Sequence, residues 1–371
     1  MPSKKRRYPV YEPVLGQQEL DFLEDCIRTG WISSLGKHIS LFESSFAKFC
    51  GAGYAAATSN GTSALHLTLL ALGIGKGDEV IIPTLTFVAT ANSVFYTGAK
   101  VVLVDVLEDT WTIDPEQVRS AITPKTRAVI AVHLYGHPCD MDRIVEITDA
   151  RGIAVIEDAA EAHGAEYRGK RVGALADAGC FSFYGNKVMT TGEGGMIVTN
   201  SAELDRRVRF LRDHAMDADR RYYHPEVGYN YRMTNMQAAV GRAQMRRIAW
   251  LISAKRRVAR LYSRRLAHVE GIIPPPEMPW AKSIYWLYTI MVDPSFGMSS
   301  EELARRLAAV GIDTRRVFIP MHLLPMYATR RKFPISEKIS HNGLSLPSSP
   351  TLTEDDIDHI CESLLAVRDR G

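Results

Sequence analysis

Three short segments carry the residues whose types and spacing could do chemistry. The first is Ser59-Asn60-Gly61-Thr62-Ser63, set between an apolar run and a helical pattern. Small residues let the backbone close around an anion, and the first turn of a helix offers unpartnered N–H groups and the positive end of its dipole. A phosphate can be held this way without a lysine; a plain strand-to-helix turn capped by Thr62 or Ser63 explains the same residues equally well. The segment is not a Walker A loop, since no Gly-Lys-Ser/Thr follows, nor a Gly-x-Gly-x-x-Gly turn. The second segment is Glu157-Asp158-Ala159-Ala160-Glu161-Ala162-His163-Gly164, directly after an apolar run. Carboxylates at the C-terminal end of a parallel strand lie where ligands bind in open α/β sheets. One of them could hold a ring nitrogen protonated, or Asp158 could simply cap a helix. The third is Phe181-Ser182-Phe183-Tyr184-Gly185-Asn186-Lys187, followed by Thr190-Thr191-Gly192-Glu193-Gly194-Gly195. A loop lysine is ordinarily a surface residue, but aromatic and small residues surround this one. Burial would lower its pKa and make the amine a nucleophile toward a carbonyl.

With the aromatic Phe87 added, these segments supply a phosphate cradle, a carboxylate for a pyridine nitrogen and a Schiff-base lysine. Those are the parts a pyridoxal-phosphate enzyme needs, in which the cofactor is the electron sink and protein groups tune it.

The elements that must position them follow from hydrophobic pattern. Short apolar runs at 54–58, 79–82, 101–105, 128–133, 154–157, 178–183 and 196–199 alternate with helical patterns such as 62–72 and 115–121. Several runs are continuous in Val and Ile, as strands buried on both faces must be, so a doubly wound, mostly parallel α/β sheet is expected. From 236 to 264 the chain is Ala- and Arg-rich with helical period, and reads as one long connecting helix. A Pro-rich turn at Pro274–Pro276 and Pro279 follows, then a strand at 285–292, a helix at 299–310, a short strand near 316–319 and a final helix opened by Thr353. The expected division is a large cofactor-binding α/β domain over 1–235, and the connecting helix with a smaller α+β domain over 236–371.

A chain of 371 residues is long enough to bury a core without covalent staples. Its net charge of +3 gives no electrostatic case for nucleic acid or membrane partners. The basic run Lys4-Lys5-Arg6-Arg7 reads as a solvated start. Five cysteines without a Cys-x-x-Cys pair suit reduced, buried thiols, and no apolar stretch reaches the roughly 20 residues of a membrane span. A soluble, cytoplasmic protein is expected.

The chain resembles the DegT/StrS family of sugar aminotransferases, which have the aspartate-aminotransferase fold (fold type I). The likeness is carried by Thr29-Gly30-Trp31-Ile32-Ser33-Ser34, by residues 59–65, 83–90, 132–136, 157–164, 181–195 and 228–234, and by Pro320-Met321-His322 and Leu346-Pro347. The resemblance implies that Lys187 holds pyridoxal phosphate as a Schiff base and shuttles the proton. It implies that Asp158 pairs with the pyridine nitrogen, that Glu161 lies near the phenolic oxygen, and that Phe87 stacks on the ring. Gly61, Thr62 and Ser182 would bind the phosphate. Asn230, within Gly228-Tyr229-Asn230-Tyr231-Arg232, would reach the phosphate of a neighbouring subunit, which implies a homodimer with shared active sites. Trp31, Ser33, Tyr184, Arg232 and His322 would face the nucleotide-sugar substrate. His163 would serve either as a structural group beside the cofactor loop or as a catalytic one. Relatives that dehydrate carry histidine in place of Lys187, so lysine favours transamination through a pyridoxamine phosphate form. The implied reaction takes an amino group from L-glutamate to the C4 ketone of a GDP-linked 4-keto-6-deoxy sugar. The alternatives are a UDP- or dTDP-linked ketosugar, attack at C3, a nicotinamide-dependent reductase or epimerase, and a non-catalytic regulator that keeps the fold.

Overall fold

The computed structural model describes residues 6–368. Lys4 and Lys5 of the basic run lie outside the described residues. Arg6 and Arg7 are exposed, as a solvated start should be, and each also meets an acid: Arg6 pairs with Asp356 at 2.5 Å and Arg7 with Asp313 at 3.0 Å.

The first two-thirds of the chain contains strands β1 (Tyr54–Thr58), β2 (Glu79–Pro83), β3 (Lys100–Val104), β4 (Thr126–Val132) and β5 (Ala154–Asp158). A short hairpin of β6 (Glu166–Tyr167) and β7 (Lys170–Arg171) follows, then β8 (Ala178–Ser182) and β9 (Gly195–Thr199). Apart from the hairpin these form one sheet in the order β1-β9-β8-β5-β4-β2-β3. The helices of this part are α1 (Gln17–Thr29), α2 (Lys37–Cys50), α3 (Gly61–Ala71), α4 (Val88–Tyr96), α5 (Pro115–Ala121), α6 (Met141–Asp149) and α7 (Ala202–Arg212). α3 is apolar nearly all round because α4, α7, β8 and β9 enclose it. The sheet is parallel except for β9, which runs antiparallel to β1 and β8. Residues 183–194, which join β8 to β9, carry Gly185, Gly192 and Gly194 and no helix, whereas a parallel neighbour is usually reached through a crossover helix.

The expected single helix over 236–264 is two: α8 (Asn235–Arg246) and α9 (Ile248–Leu266), separated at Arg247, whose φ and ψ are −116° and 11°. No Gly or Pro is needed for the break. The Arg247 guanidinium is held by Glu19 of α1, and the two helices serve different neighbours: α8 packs on α1 and α2, α9 on α12 (Glu354–Arg368). Beyond α9 come β10 (Ile272–Ile273), β11 (Ala281–Lys282), β12 (Tyr288–Val292), α10 (Ser300–Ala309), β13 (Arg315–Arg316), α11 (Pro334–Asn342) and β14 (Gly343–Leu346). β10, β12, β14 and β13 make a four-stranded antiparallel sheet in that order, and β11 joins the β6–β7 hairpin. Two apolar clusters pack the large sheet, one around Ile82, Ile130 and Phe181 and the other around Ile81, Val129 and Ile144; a third gathers β12, β14, α9, α10 and α12 around Tyr262, Tyr288 and Phe296. Among the described residues, no helix is long and apolar enough to cross a membrane.

Candidate active site

The C-terminal ends of β4, β5 and β8, the first turn of α3 and the loop after β2 line a cleft of about 580 Å³. A cleft of that size suits a small molecule or a cofactor with substrate.

One end of the cleft is built for an anion. Asn60 caps α3, rather than Thr62 or Ser63: its side-chain oxygen accepts from Ser63 N at 2.8 Å, and Ser63 Oγ accepts from Asn60 N at 3.1 Å. The reciprocal cap fixes the helix start and leaves the amides of Gly61 and Thr62 without intrahelical partners. Ser182 ends β8 opposite them. A Cβ on residue 61 would lie 2.8 Å from Ser182 Cβ, so helix start and strand end approach this closely only because residue 61 is glycine.

The other end holds two buried acids and an amine. Asp158 is 6% exposed. Its Oδ2 accepts from Thr90 Oγ1 at 2.7 Å and its Oδ1 from Ala160 N at 3.2 Å. The residues after it form a turn, so it caps no helix. Burial raises its pKa, and the Thr90 hydrogen bond pulls back. Burial likewise pushes Glu161 up to about 7, against the pull of Lys187; its Oε2 accepts from Tyr135 N at 2.8 Å. The Lys187 side chain, 11% exposed, places Nζ 3.6 Å from Glu161 Oε1 and 3.9 Å from the centre of the Trp286 ring. Burial lowers the amine's pKa, while Glu161 and Asp158 raise it. An amine so balanced can act as a nucleophile toward a carbonyl and can carry a proton.

The lysine loop is pinned from outside the cleft. Tyr11 Oη donates to Lys187 O at 2.8 Å, and Trp286 Nε1 donates to Asn186 O at 2.7 Å. Trp286 is itself placed by the buried Lys255, whose amine donates to Trp286 O and Ser348 O at 2.6 and 2.5 Å. Trp286 stacks on Tyr135, Tyr135 on Phe318, and Phe318 meets Phe87, with ring centres 5.6–5.9 Å apart.

The structure therefore brings Gly61, Thr62, Phe87, Asp158, Glu161, Ser182, Tyr184 and Lys187 to one cleft, with Phe87 54% exposed at its mouth. It does not bring the other candidates there. Trp31 lines a separate surface hollow with Thr29 and Lys37, and the carbonyls of Trp31 and Ser33 accept from Asn235. Asn230 is exposed and accepts from Arg232, which pairs with Asp213 at 2.7 Å. His322 is buried between Thr84, at 2.8 Å, and Glu337, at 3.2 Å, where it docks its loop on the end of β2. His163 packs among Phe46, Phe181 and Phe183, and burial lowers its pKa to about 3, which keeps the ring neutral. Glu157 bonds His133 and the amides of Gly173 and Leu175, away from the cleft. Thr90, Tyr135, Trp286, Arg315 and Phe318 went unremarked as site residues; of these, Thr90 and Tyr135 fell inside segments already singled out.

A pyridoxal phosphate fits what these residues offer: a cradle that any side chain at 61 would fill, a buried acid and an enclosed amine. Residues 13–365 match the DegT/DnrJ/EryC1/StrS aminotransferase family. The chain is 46% identical to the GDP-perosamine synthase of Caulobacter vibrioides and 44% identical to that of Escherichia coli O157:H7, each alignment covering 96% of this chain and 97% of the relative. The structure of DesV from S. venezuelae in complex with a ketimine intermediate matches with a TM-score of 0.89 at 37% identity, over 95% of both chains.

Proposed function

Because the chain belongs to the DegT/DnrJ/EryC1/StrS aminotransferase family, whose cofactor is pyridoxal phosphate, we propose that it aminates the C4 ketone of GDP-4-keto-6-deoxy-D-mannose. L-Glutamate is the amino donor; GDP-perosamine and 2-oxoglutarate are the products. The observation that carries the chemistry is the enclosed Lys187 amine beside two buried acids, with the α3 cradle in the same cleft. The substrate rests on two relatives named GDP-perosamine synthase that align with nearly the whole chain.

When bound, the cofactor withdraws electron density from the carbon that carries the amine. In this reading Asp158 faces the pyridine nitrogen and holds it protonated, Glu161 lies beside the phenolic oxygen, and Phe87 covers the ring. Gly61, Thr62 and Ser182 hold the phosphate. Lys187 Nζ would hold the cofactor covalently and be released when the amino donor is bound. The freed Nζ then takes the proton from the donor α-carbon, and in the return half-reaction it delivers a proton to C4 of the sugar. Both moves split one hard exchange into two easier ones.

The active unit in this reading is a homodimer. Apolar rings at the cleft mouth, Phe87, Tyr96 and Tyr184, are about half exposed in the single chain, as a surface awaiting a cover would be. Asn230 would reach the partner's phosphate site, and Trp31, Ser33 and Arg232 would complete its sugar pocket. The test offers purified protein and L-glutamate with GDP-, UDP- and dTDP-linked 4-ketosugars separately. Release of 2-oxoglutarate with the GDP-linked sugar, at least tenfold faster than with the others, is expected; faster release with a UDP- or dTDP-linked sugar moves the substrate elsewhere.

A further inference from the structure

Among the described residues, Lys255 in the middle of α9 is the one lysine or arginine that is fully buried, at 1% exposure. Among those residues no carboxylate pairs with it. Its amine donates to two backbone carbonyls, of Trp286 at 2.6 Å and of Ser348 at 2.5 Å, and lies 5.2 Å from the centre of the Tyr11 ring. Burial alone acts on its pKa and lowers it to about 7. Methionine would fill a similar volume without the desolvation that a buried amine suffers. The amine therefore stands where packing by itself would not call for one.

Its place in the fold supplies a reason. β12 and β14 pair with Tyr288 opposite Leu346, and two residues further in that register Trp286 lies opposite Ser348. The ladder has ended there, and the Lys255 amine bridges the two carbonyls instead. Each carbonyl belongs to a segment that leads to the lysine loop. Trp286 Nε1 donates to Asn186 O at 2.7 Å, and the Trp286 ring centre lies 3.9 Å from Lys187 Nζ. Ser348 N donates to Val10 O at 2.8 Å, and the next residue, Tyr11, donates from Oη to Lys187 O at 2.8 Å. One amine thus sits at the root of both clamps on the loop. Lys255 does not line the cleft, so it reaches the chemistry only through Trp286 and Tyr11.

We propose that Lys255 is a positioning residue for proton transfer by Lys187: it sets the spacing of Trp286 and Tyr11 that keeps Nζ against the Trp286 ring. The inference rests on the reading of Lys187 as the proton carrier and adds what fixes its place. Proton transfer is steep in distance, and a shift of about 1 Å can slow a reaction on the order of 100-fold.

The test compares wild type with Lys255→Met and with the double variant Tyr11→Phe/Trp286→Phe, which keeps a ring at each position and removes both hydrogen bonds to the loop. In cofactor-loaded protein, Lys255→Met should slow the L-glutamate half-reaction about 10- to 100-fold. α-Deuterated L-glutamate should show a larger isotope effect in Lys255→Met than in wild type, because proton transfer becomes the slow step. Binding of α-methyl-L-glutamate, which has no α-hydrogen to lose, should stay within about threefold of wild type. Added to the double variant, Lys255→Met should slow the half-reaction by less than about threefold more, since its effect already passes through those bonds. In cofactor-free Lys255→Met, amide hydrogen exchange over residues 183–191 should quicken at least about tenfold while exchange over α3 keeps its wild-type rate. Equal quickening in both segments, or a fully additive loss in the triple variant, would show a general packing role and overturn the proposal. A wild-type isotope effect in Lys255→Met would overturn it too. If Lys255→Met does not fold, the double variant decides, and proton transfer at the wild-type rate there overturns the proposal. If wild type itself shows no lysine-bound cofactor band, the transaminase reading fails instead.

Discussion

Lys187 and Glu161 pull on each other across 3.6 Å, while burial works against the charge of both. The Glu161 carboxyl, raised from 4.5 to about 7, holds a proton in the folded protein through a pH range where the unfolded chain has released it. The sign follows by linkage: its contribution to stability is full below pH 4.5 and is lost as pH rises through about 7. In cofactor-free protein, Tm between pH 4.5 and 7 should therefore fall less steeply with rising pH in Glu161→Gln than in wild type; equal slopes would contradict this account of Glu161. At this scale the sequence was legible where chemistry crowds into a few consecutive residues. Asp158 and Glu161 share one segment, Ser182 and Lys187 another, and each segment follows a strand. Trp286, Phe318 and Arg315 were not legible, because each comes from more than 90 residues beyond Lys187 and looks locally like any strand or loop residue. Asn60 was overlooked as the cap of α3 because Thr62 and Ser63 are equally good capping types, and only backbone geometry chooses between them.

The element that matters most for binding is α3, whose start must meet the end of β8 without a side chain between them. Gly61→Ala would set a methyl 2.8 Å from Ser182 Cβ. The helix start must then move, and the phosphate amides with it. We expect cofactor affinity to fall at least about tenfold, the equivalent of one charge-assisted hydrogen bond, with the far-ultraviolet circular dichroism unchanged. Wild-type affinity in Gly61→Ala would show that the cradle lies elsewhere. Strand positions were legible because parallel strands buried on both faces must be continuously apolar: the runs read at 128–133 and 154–157 fall on β4 and β5. The reversed direction of β9 was not, since strand composition carries no polarity; the local sign is that no helical pattern separates β8 from β9. Nor was the break at Arg247, whose guanidinium pairs with Glu19, more than 200 residues away.

At the scale of the whole molecule, the single chain leaves Asn230 and Arg232 on its surface and the cleft mouth partly uncovered. Shared sites make a prediction that separate sites cannot. Lys187→Ala and Asn230→Ala should each be impaired alone. Subunits of the two variants, unfolded and refolded together, should regain about a quarter of wild-type activity, because half the dimers are mixed and each mixed dimer has one intact site. No recovery on mixing would place Asn230 in its own subunit's site or outside the chemistry. The sequence held this information only as the segment Gly228-Tyr229-Asn230-Tyr231-Arg232, whose place relative to a second copy depends on an interface that no local pattern encodes. In the N-terminal basic run the exposure of Arg6 and Arg7 was legible, while their pairing with Asp356 and Asp313 more than 300 residues on was not.

The most direct test of the central claim is the visible absorbance of wild type and Lys187→Ala, each purified with pyridoxal phosphate and titrated with L-glutamate, then with the GDP-linked 4-ketosugar. Wild type should show the band of a lysine-bound cofactor, lose it on adding L-glutamate and regain it on adding the ketosugar; Lys187→Ala should show no such cycle. A full cycle in Lys187→Ala, or no lysine-bound band in wild type, would contradict the account.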